Sequence, residues 1–229
     1  MIDSTPEIAA IKAKTFTTYR RLWLDSCLQK NASGMRGMVV DIGGKRENKR
    51  GSFTPPEKMA SAWWYVNLDL STNPNIFADV SMLPIKSESM DVAICTEVLE
   101  HLENPAACAG EVHRILKKDA VGFFSVPFIY PIHADPYDFQ RYTADGLQRL
   151  LSAFQSVTIT PMGGYLGTLA MLIEIGLPGI SGQQIPKKIL RRSLRWLTRF
   201  LYKEDIKRTS SQPLQWSKFT TGYFVKVTK

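Results

Sequence analysis

The sequence predicts an α/β protein with a doubly wound, mostly parallel sheet and a helical insert before the last strand. Two observations carry this. Short apolar strands alternate with helical patterns from Met38 to Thr160, the order that builds a parallel sheet with helices on both faces. A final strand-like run, Gly222-Tyr-Phe-Val-Lys-Val227, then follows an insert of about sixty residues.

Glu7 to Gln29 reads as a helix with Ile8, Ile11, Phe16, Leu22 and Leu24 on its apolar positions. Asn31 to Gly37 is a turn. Met38 to Ile42 is a buried strand running into Gly43-Gly44, a sharp turn. Lys45 to Pro56 is polar and reads as loop, and Trp63 to Leu70 as the next strand. Ser89 to Thr96 is a strand, Glu97 to Leu102 opens a helix, and Pro105 to Leu116 is another. Ala120 to Val126 is a strand, Ala144 to Phe154 a helix, and Ser156 to Pro161 a strand. Right-handed crossovers place the strand C-termini on one edge of such a sheet, where ligands bind. The last strand is expected to pair at the other edge.

The boundaries drawn are 1–36, an N-terminal helical segment; 37–164, the α/β domain; 165–215, a basic and apolar helical insert; and 216–229, the closing strand.

Composition narrows the class. The 229 residues are 44% hydrophobic and 22% charged, which excludes a disordered or collagen-like chain. A chain of this size buries roughly 70% of its unfolded surface and needs no staple. The three cysteines, Cys27, Cys95 and Cys108, are odd in number and without metal-ligand spacing. They are expected as reduced core thiols, which fits a reducing compartment. Met1 to Arg21 has no apolar run, so no signal peptide is expected and a cytoplasmic location fits. The longest apolar run, Tyr165 to Ile175, contains Glu174 and meets Pro178. It falls short of the roughly 18 residues of a membrane span.

Four stretches carry chemistry. Val39-Val-Asp-Ile-Gly-Gly44 ends a strand in bare backbone, which lets a ligand approach closely, and Asp41 can accept hydrogen bonds from it. Tyr65-Val-Asn-Leu-Asp-Leu70 places Asp69 where nucleotide folds hold ribose hydroxyls. Asp69 stands 28 positions after Asp41, beyond the roughly 20 of a minimal unit, and a turn cap is its other reading. Asp79-Val-Ser-Met-Leu-Pro84 precedes the strand that starts at Asp91. Ile94-Cys-Thr-Glu-Val-Leu-Glu-His-Leu102 follows directly on that strand.

In this order and spacing the chain resembles the class I S-adenosylmethionine-dependent methyltransferases of the small-molecule branch, over about Met38 to Gly164, with Gly222 to Val227 as the closing strand. The resemblance implies a Rossmann-like seven-stranded sheet and S-adenosylmethionine as cofactor. It implies that Asp41, Gly43 and Gly44 face the methionine moiety, that Asp69 binds the ribose hydroxyls and that Leu70 lies against the adenine. Asp79, with Val80 nearby, would accept from the adenine amino group, and Thr96 and Glu97 would line the methionine end. The first loop departs from the family's Asp-x-Gly-x-Gly-x-Gly: here it reads Asp41-Ile-Gly-Gly-Lys-Arg-Glu47.

His101 reads as a structural helix residue and His113 as a solvated one, and no metal site is expected. Pro131 to Thr143 lies over the ligand edge and is dense in hydroxyl-binding types: His133, Asp135, Tyr137, Asp138, Arg141 and Tyr142. A similar His…Pro-Tyr-Asp…Arg-Tyr-Thr pattern occurs in methyltransferases resembling those of bacterial surface-polysaccharide pathways. The competing reading is a polar loop tied down by Asp138–Arg141 pairing. His133 is the candidate catalytic residue, a general base for a sugar hydroxyl.

The net charge of +8 is local. Residues 185–208 hold nine basic residues against Glu204 and Asp205, an excess of +7 that leaves about +1 for the rest. On a helical wheel of Ile185 to Tyr202, Ile189, Leu190, Leu194, Trp196, Leu197, Phe200 and Leu201 fall on one side. Arg191, Arg192, Arg195, Thr198 and Arg199 fall on the other. Three readings compete: a core-packed helix with a solvated basic face, an amphipathic helix on an anionic membrane, and, less favoured, a nucleic-acid surface. The leading function is methylation of a sugar hydroxyl on a small or lipid-linked glycan, at the inner face of a membrane. The alternatives are a tRNA or rRNA methyltransferase and a non-catalytic scaffold with a methyltransferase-like fold.

Overall fold

The computed structural model describes residues 18–47, 51–133, 137–180, 187–211 and 218–229. Residues 7–17 of the first expected helix and Asp135 lie outside them. The strands are β1 (Gly37–Ile42), β2 (Ala60–Asn67), β3 (Ile76–Phe77), β4 (Met90–Thr96), β5 (Leu116–Pro127), β6 (Ser156–Pro161) and β7 (Gly222–Thr228). They form one seven-stranded sheet in the order β3-β2-β1-β4-β5-β7-β6. From β3 to β5 all neighbours are parallel, and β7 runs antiparallel to both β5 and β6. The helices are α1 (Tyr19–Asn31), α2 (Pro105–Ile115), α3 (Ala144–Leu150), α4 (Tyr165–Ile180) and α5 (Lys187–Ser211), the last two forming the insert before β7.

The last strand is therefore not at the sheet edge, as expected from its position in the chain. Its first four residues, Gly222 to Val225, and Val227 are buried, whereas β6 has no buried residue. A strand apolar on both faces gains most between two neighbours, and the half-solvated β6 takes the edge. Two further expectations change. Glu97 to Leu102 is no helix: Glu97 adopts a left-handed φ of 59°, and only a short turn forms at Leu99–His101. The next helix starts afresh at Pro105, capped by the Asn104 side chain, because Pro suits a first helical position. Likewise β2 stops at Asn67, and Leu70 begins a short 3₁₀ turn.

Strand alternation divides the core. Val40, Ile42, Ala93, Cys95, Phe124 and Val225 face α2 and α3, while Val39, Tyr65, Val92, Ile94, Phe123 and Phe224 face α1, α4 and α5, as the two-residue period requires. The three cysteines are buried, and none is in a disulfide. His113, expected to be solvated, is partly buried and packed edge-on against Phe154 at 5.1 Å.

The helix α5 inverts the expected packing. Thr198, Tyr202, Asp205, Ile206 and Thr209 are buried, whereas Trp196 is 71% and Phe200 49% exposed. The reason is hydrogen bonding. Thr198 Oγ1 donates to Glu174 Oε1 (2.6 Å) and Tyr202 Oη to Glu174 Oε2 (2.7 Å), while Tyr19 Oη and the Gly164 N–H both donate to Asp205 Oδ2 at 2.7 Å. The Tyr19 and Tyr202 rings stack at 4.3 Å. A seam in which most polar atoms are paired can be buried, although Asp205 Oδ1 and Thr209 Oγ1 have no partner, and α5 is turned so that its aromatic pair faces out.

Candidate active site

A cleft of about 910 Å³ opens along the C-terminal edge of β1, β2 and β4, beside the point where the chain crosses back from β3 to β4. Asp41, Gly43, Gly44, Asp69, Asp79, Val80, Thr96 and Glu97 line it. Leu70 does not. The turn after β2 carries it outward, and Leu68 is on the wall in its place.

The floor is bare backbone. Gly43 has φ +74°, and a Cβ there would stand 2.4 Å from Val98 Cγ2; a Cβ on Gly44 would stand 2.2 Å from Asp41 Cγ. Only glycine fits this bend. Asn67 pins it by donating from Nδ2 to the carbonyls of Gly43 (3.1 Å) and Gly44 (3.0 Å).

Two carboxylates repeat one motif. Asp69 Oδ1 accepts from the N–H and hydroxyl of Ser71 at 3.0 and 2.6 Å. Asp79 Oδ1 accepts from the N–H and hydroxyl of Ser81 at 2.8 and 2.7 Å. The serine hydroxyl and amide hold both carboxyl groups below their ordinary range. Asp69 is thus a turn cap and a wall residue together. In each carboxylate both bonds fall on Oδ1, which leaves Oδ2 lone pairs for a ligand.

At the end of β4, Glu97 is fixed by an N–H bond to Ser125 O (3.0 Å), a bond accepted from Ser125 Oγ (2.6 Å) and an ion pair with Arg20. Arg20 lies 4.3 Å from the centre of the Tyr130 ring. Its guanidinium brings α1 into the cleft wall.

Beside Glu97 stands a cluster that sequence reasoning only partly saw. His101, expected as a structural helix residue, lines the cleft with His133, because the short turn aims it there. Between them Glu100 is wholly buried, and neither of its carboxyl oxygens has a hydrogen-bond partner. Burial first, and then the charge of Glu97, push its pKa up to about 8. Asp138 fixes His133: the His133 backbone N–H donates to Asp138 Oδ2 at 2.9 Å, and the ring Nδ1 lies 3.2 Å from the same oxygen. Burial, then Arg20, lowers the His133 pKa below its ordinary value.

Of the described residues in the 131–143 segment, His133 alone lines the cleft, and the others frame it. Asp138 is paired with Arg141, and this guanidinium holds its carboxyl far below the usual range. Tyr142 donates to Gln140 Oε1 at 2.8 Å, and Tyr137 offers its carbonyl to His101 Nδ1 at 2.5 Å. The pairing of Asp138 with Arg141 was the competing sequence reading, and it describes the structure. Arg20, Phe53 and Tyr130 belong to no local motif, and Asn67, although inside the Tyr65–Leu70 stretch, shows its role only through its bonds to Gly43 and Gly44.

These residues fit S-adenosylmethionine. Two carboxylate oxygens stand open to hydroxyl and amino donors, the Gly43-Gly44 bend has no side chain in the way, and Val80, Leu68 and Phe53 give an apolar wall.

Residues 59–124, from the lead into β2 as far as β5, match the family described as a methyltransferase domain. No curated protein matches the sequence. Among solved structures the fold is similar to that of an S-adenosylmethionine-dependent methyltransferase from Archaeoglobus fulgidus, at 15% identity and a TM-score of 0.55, over 91% of this chain and 94% of that one. It is also similar to Haemonchus contortus phosphoethanolamine N-methyltransferase 2 in complex with phosphomonomethylethanolamine and S-adenosylhomocysteine, at 10% identity and a TM-score of 0.53, over 90% of this chain and 52% of that one. At such identities the likeness is one of fold. The match takes in β2 and β4 of the cleft but not β1, and the chain is an enzyme that uses S-adenosylmethionine, a methyltransferase.

Proposed function

We propose that the enzyme methylates a hydroxyl oxygen of a sugar or lipid-linked glycan by in-line displacement. The observation that carries this is His133, a cleft-lining imidazole whose Nδ1 is held by Asp138. When bound, S-adenosylmethionine supplies a sulfonium methyl that is open to displacement by an incoming nucleophile. A hydroxyl must lose its proton as it attacks, and a fixed neutral imidazole can take it. Its lowered pKa favours the neutral ring, with the Nδ1–H directed at Asp138 Oδ2 and the Pro131 carbonyl and the Nε2 lone pair available for the transfer. Asp138 then stabilises the imidazolium.

In this reading Asp41, Gly43 and Gly44 hold the methionine moiety, Asp69 the ribose hydroxyls, and Asp79 with Val80 the adenine. Thr96 and Glu97 line the methionine end. Leu68 replaces Leu70 beside the base. Orientation of the two reactants supplies much of the rate.

The insert supports a lipid-linked acceptor. Trp196 and Phe200 stack at 6.1 Å on the outer side of α5, on a helix that also exposes Arg192, Arg195 and Arg199. On α4, Leu169, Leu172 and Ile175 are exposed too. Among the described residues no helix is long and apolar enough to cross a membrane. Exposed aromatics flanked by arginine suit an element lying on an anionic lipid surface.

The test begins with calorimetric titration of S-adenosylmethionine into the parent and Asp69→Ala proteins. Turnover is then compared on lipid-linked sugars in phosphatidylglycerol vesicles, on free sugars and on tRNA. Transfer to the sugars supports the proposal. Transfer confined to tRNA, or cofactor binding without transfer to any sugar, overturns it.

A further inference from the structure

We infer that Glu100, His101 and His133 form a binding site for a divalent transition-metal cation on the wall of the cleft. Glu100 Oε1 lies 3.8 Å from His101 Nε2 and 3.9 Å from His133 Nε2, and the three ligand atoms all fall within 4.8 Å of one another. Ligands about 2.1 Å from a tetrahedral ion stand about 3.4 Å apart. The set closes on an ion with small side-chain movements.

The second observation is Glu100 itself. It is wholly buried, and both oxygens lack a hydrogen-bond donor. A buried carboxyl group in that state is costly unless something positive or protic meets it.

The third is the outer face of each imidazole. His101 Nδ1 lies 2.5 Å from the Tyr137 carbonyl, which can only accept. His133 Nδ1 lies 3.2 Å from Asp138 Oδ2 and 3.3 Å from the Pro131 carbonyl. Both rings therefore carry their proton on Nδ1 and a lone pair on Nε2. Metal-ligating histidines are held in this way, by a carboxylate or carbonyl on the other nitrogen. Three groups able to ligate thus converge with no other side chain donating to Glu100, and its carboxyl gives up any proton it holds when the ion binds. Arg20, whose charge reaches this cluster, is paired with Glu97.

The donor set selects the ion. Two imidazoles and one carboxylate suit zinc, cobalt, iron or manganese, whereas calcium and magnesium favour oxygen ligands. His101 and His133 both line the cleft, so a further coordination position opens toward the acceptor.

The existence of this site does not depend on the proposed function; its use does. A hydroxyl coordinated to the ion loses its proton to water more readily. In the loaded enzyme His133 holds the ion that acidifies the hydroxyl, and in the metal-free enzyme it takes the proton directly.

The test titrates chelator-treated protein with Co²⁺, followed by visible ligand-field absorption and by calorimetry. S-adenosylmethionine is titrated separately into each protein as a check on folding. The expected result is about one Co²⁺ per chain, lost in Glu100→Gln and His133→Ala and retained in His113→Ala. Asp138→Asn, which leaves the three ligands in place, should weaken Co²⁺ about 10- to 100-fold. Cofactor binding with no Co²⁺ uptake, uptake unchanged by Glu100→Gln and His133→Ala, or an intense thiolate band that places the ion on a cysteine would each overturn the inference. Loss of cofactor binding by the parent protein would count against the proposed function instead and leave the ion site standing.

Discussion

The cleft and the α4–α5 insert both bury polar side chains, but they do so in opposite ways. In the insert, Glu174 has a donor on each oxygen, and Asp205 has two on Oδ2 and none on Oδ1. In the cleft, Glu100 has none on either oxygen. Satisfied buried polar groups fix a structure, while an unsatisfied one stores binding capacity for something not in the fold. The same contrast explains the surfaces. Because the insert spends its polar face inward, Trp196 and Phe200 remain outside.

The largest effect expected is on the cleft. His133→Ala should lower turnover about 10²- to 10⁴-fold and leave calorimetric cofactor affinity unchanged. Turnover of the parent protein should fall with acid at a midpoint below the ordinary 6.5 of histidine. An alanine variant as fast as the parent would remove the cleft from this comparison.

Next comes the orphan carboxyl. Its folded pKa of about 8 stands above the ordinary 4.5. Between these values the native state keeps a proton that the unfolded state has lost, so stability falls as pH rises from about 4.5 to 8. Glu100→Gln should remove that slope in metal-free protein and raise stability at pH 8 by roughly 2–4 kcal/mol, read from urea midpoints at several pH values. A variant with the parent's slope would mean that Glu100 is satisfied after all.

Asp69→Ala should weaken S-adenosylmethionine about 10- to 100-fold, measured calorimetrically, through the loss of the open Oδ2.

The insert should show the reverse pattern. Thr198→Val removes the donor to Glu174 Oε1 and should cost about 1–2 kcal/mol of thermal stability. Trp196→Ala with Phe200→Ala should change stability by less than about 0.5 kcal/mol yet lower partition onto phosphatidylglycerol vesicles in sedimentation. If the exposed aromatic pair proves the more damaging to stability, the inverted packing of α5 is wrong.

Much of the cleft was legible because its parts are local. Gly43-Gly44, Asp69-Leu-Ser71 and Asp79-Val-Ser81 each make their turn within a few residues, so chain order and side-chain type place them at strand ends. Leu70 misled because a 3₁₀ turn after Asp69 rotates it off the wall. His101 misled because its segment has helical periodicity, while the left-handed Glu97 breaks the helix before it starts. Arg20 carries no local signal, and Asn67 gains its role only from carbonyls more than twenty residues away in the chain.

By itself, the sequence determined the alternation of strands and helices, the bare Gly43-Gly44 bend, the capped carboxylates and the crowding of charge into one helix. These follow from side-chain period, backbone freedom and short-range hydrogen bonding. Tertiary structure alone decided that β7 slots between β5 and β6, that α5 buries its threonine and tyrosine side, and that Glu100 meets two histidines with no donor. Those outcomes depend on which distant surfaces meet. Burial energy and hydrogen-bond satisfaction are properties of the partner as much as of the residue.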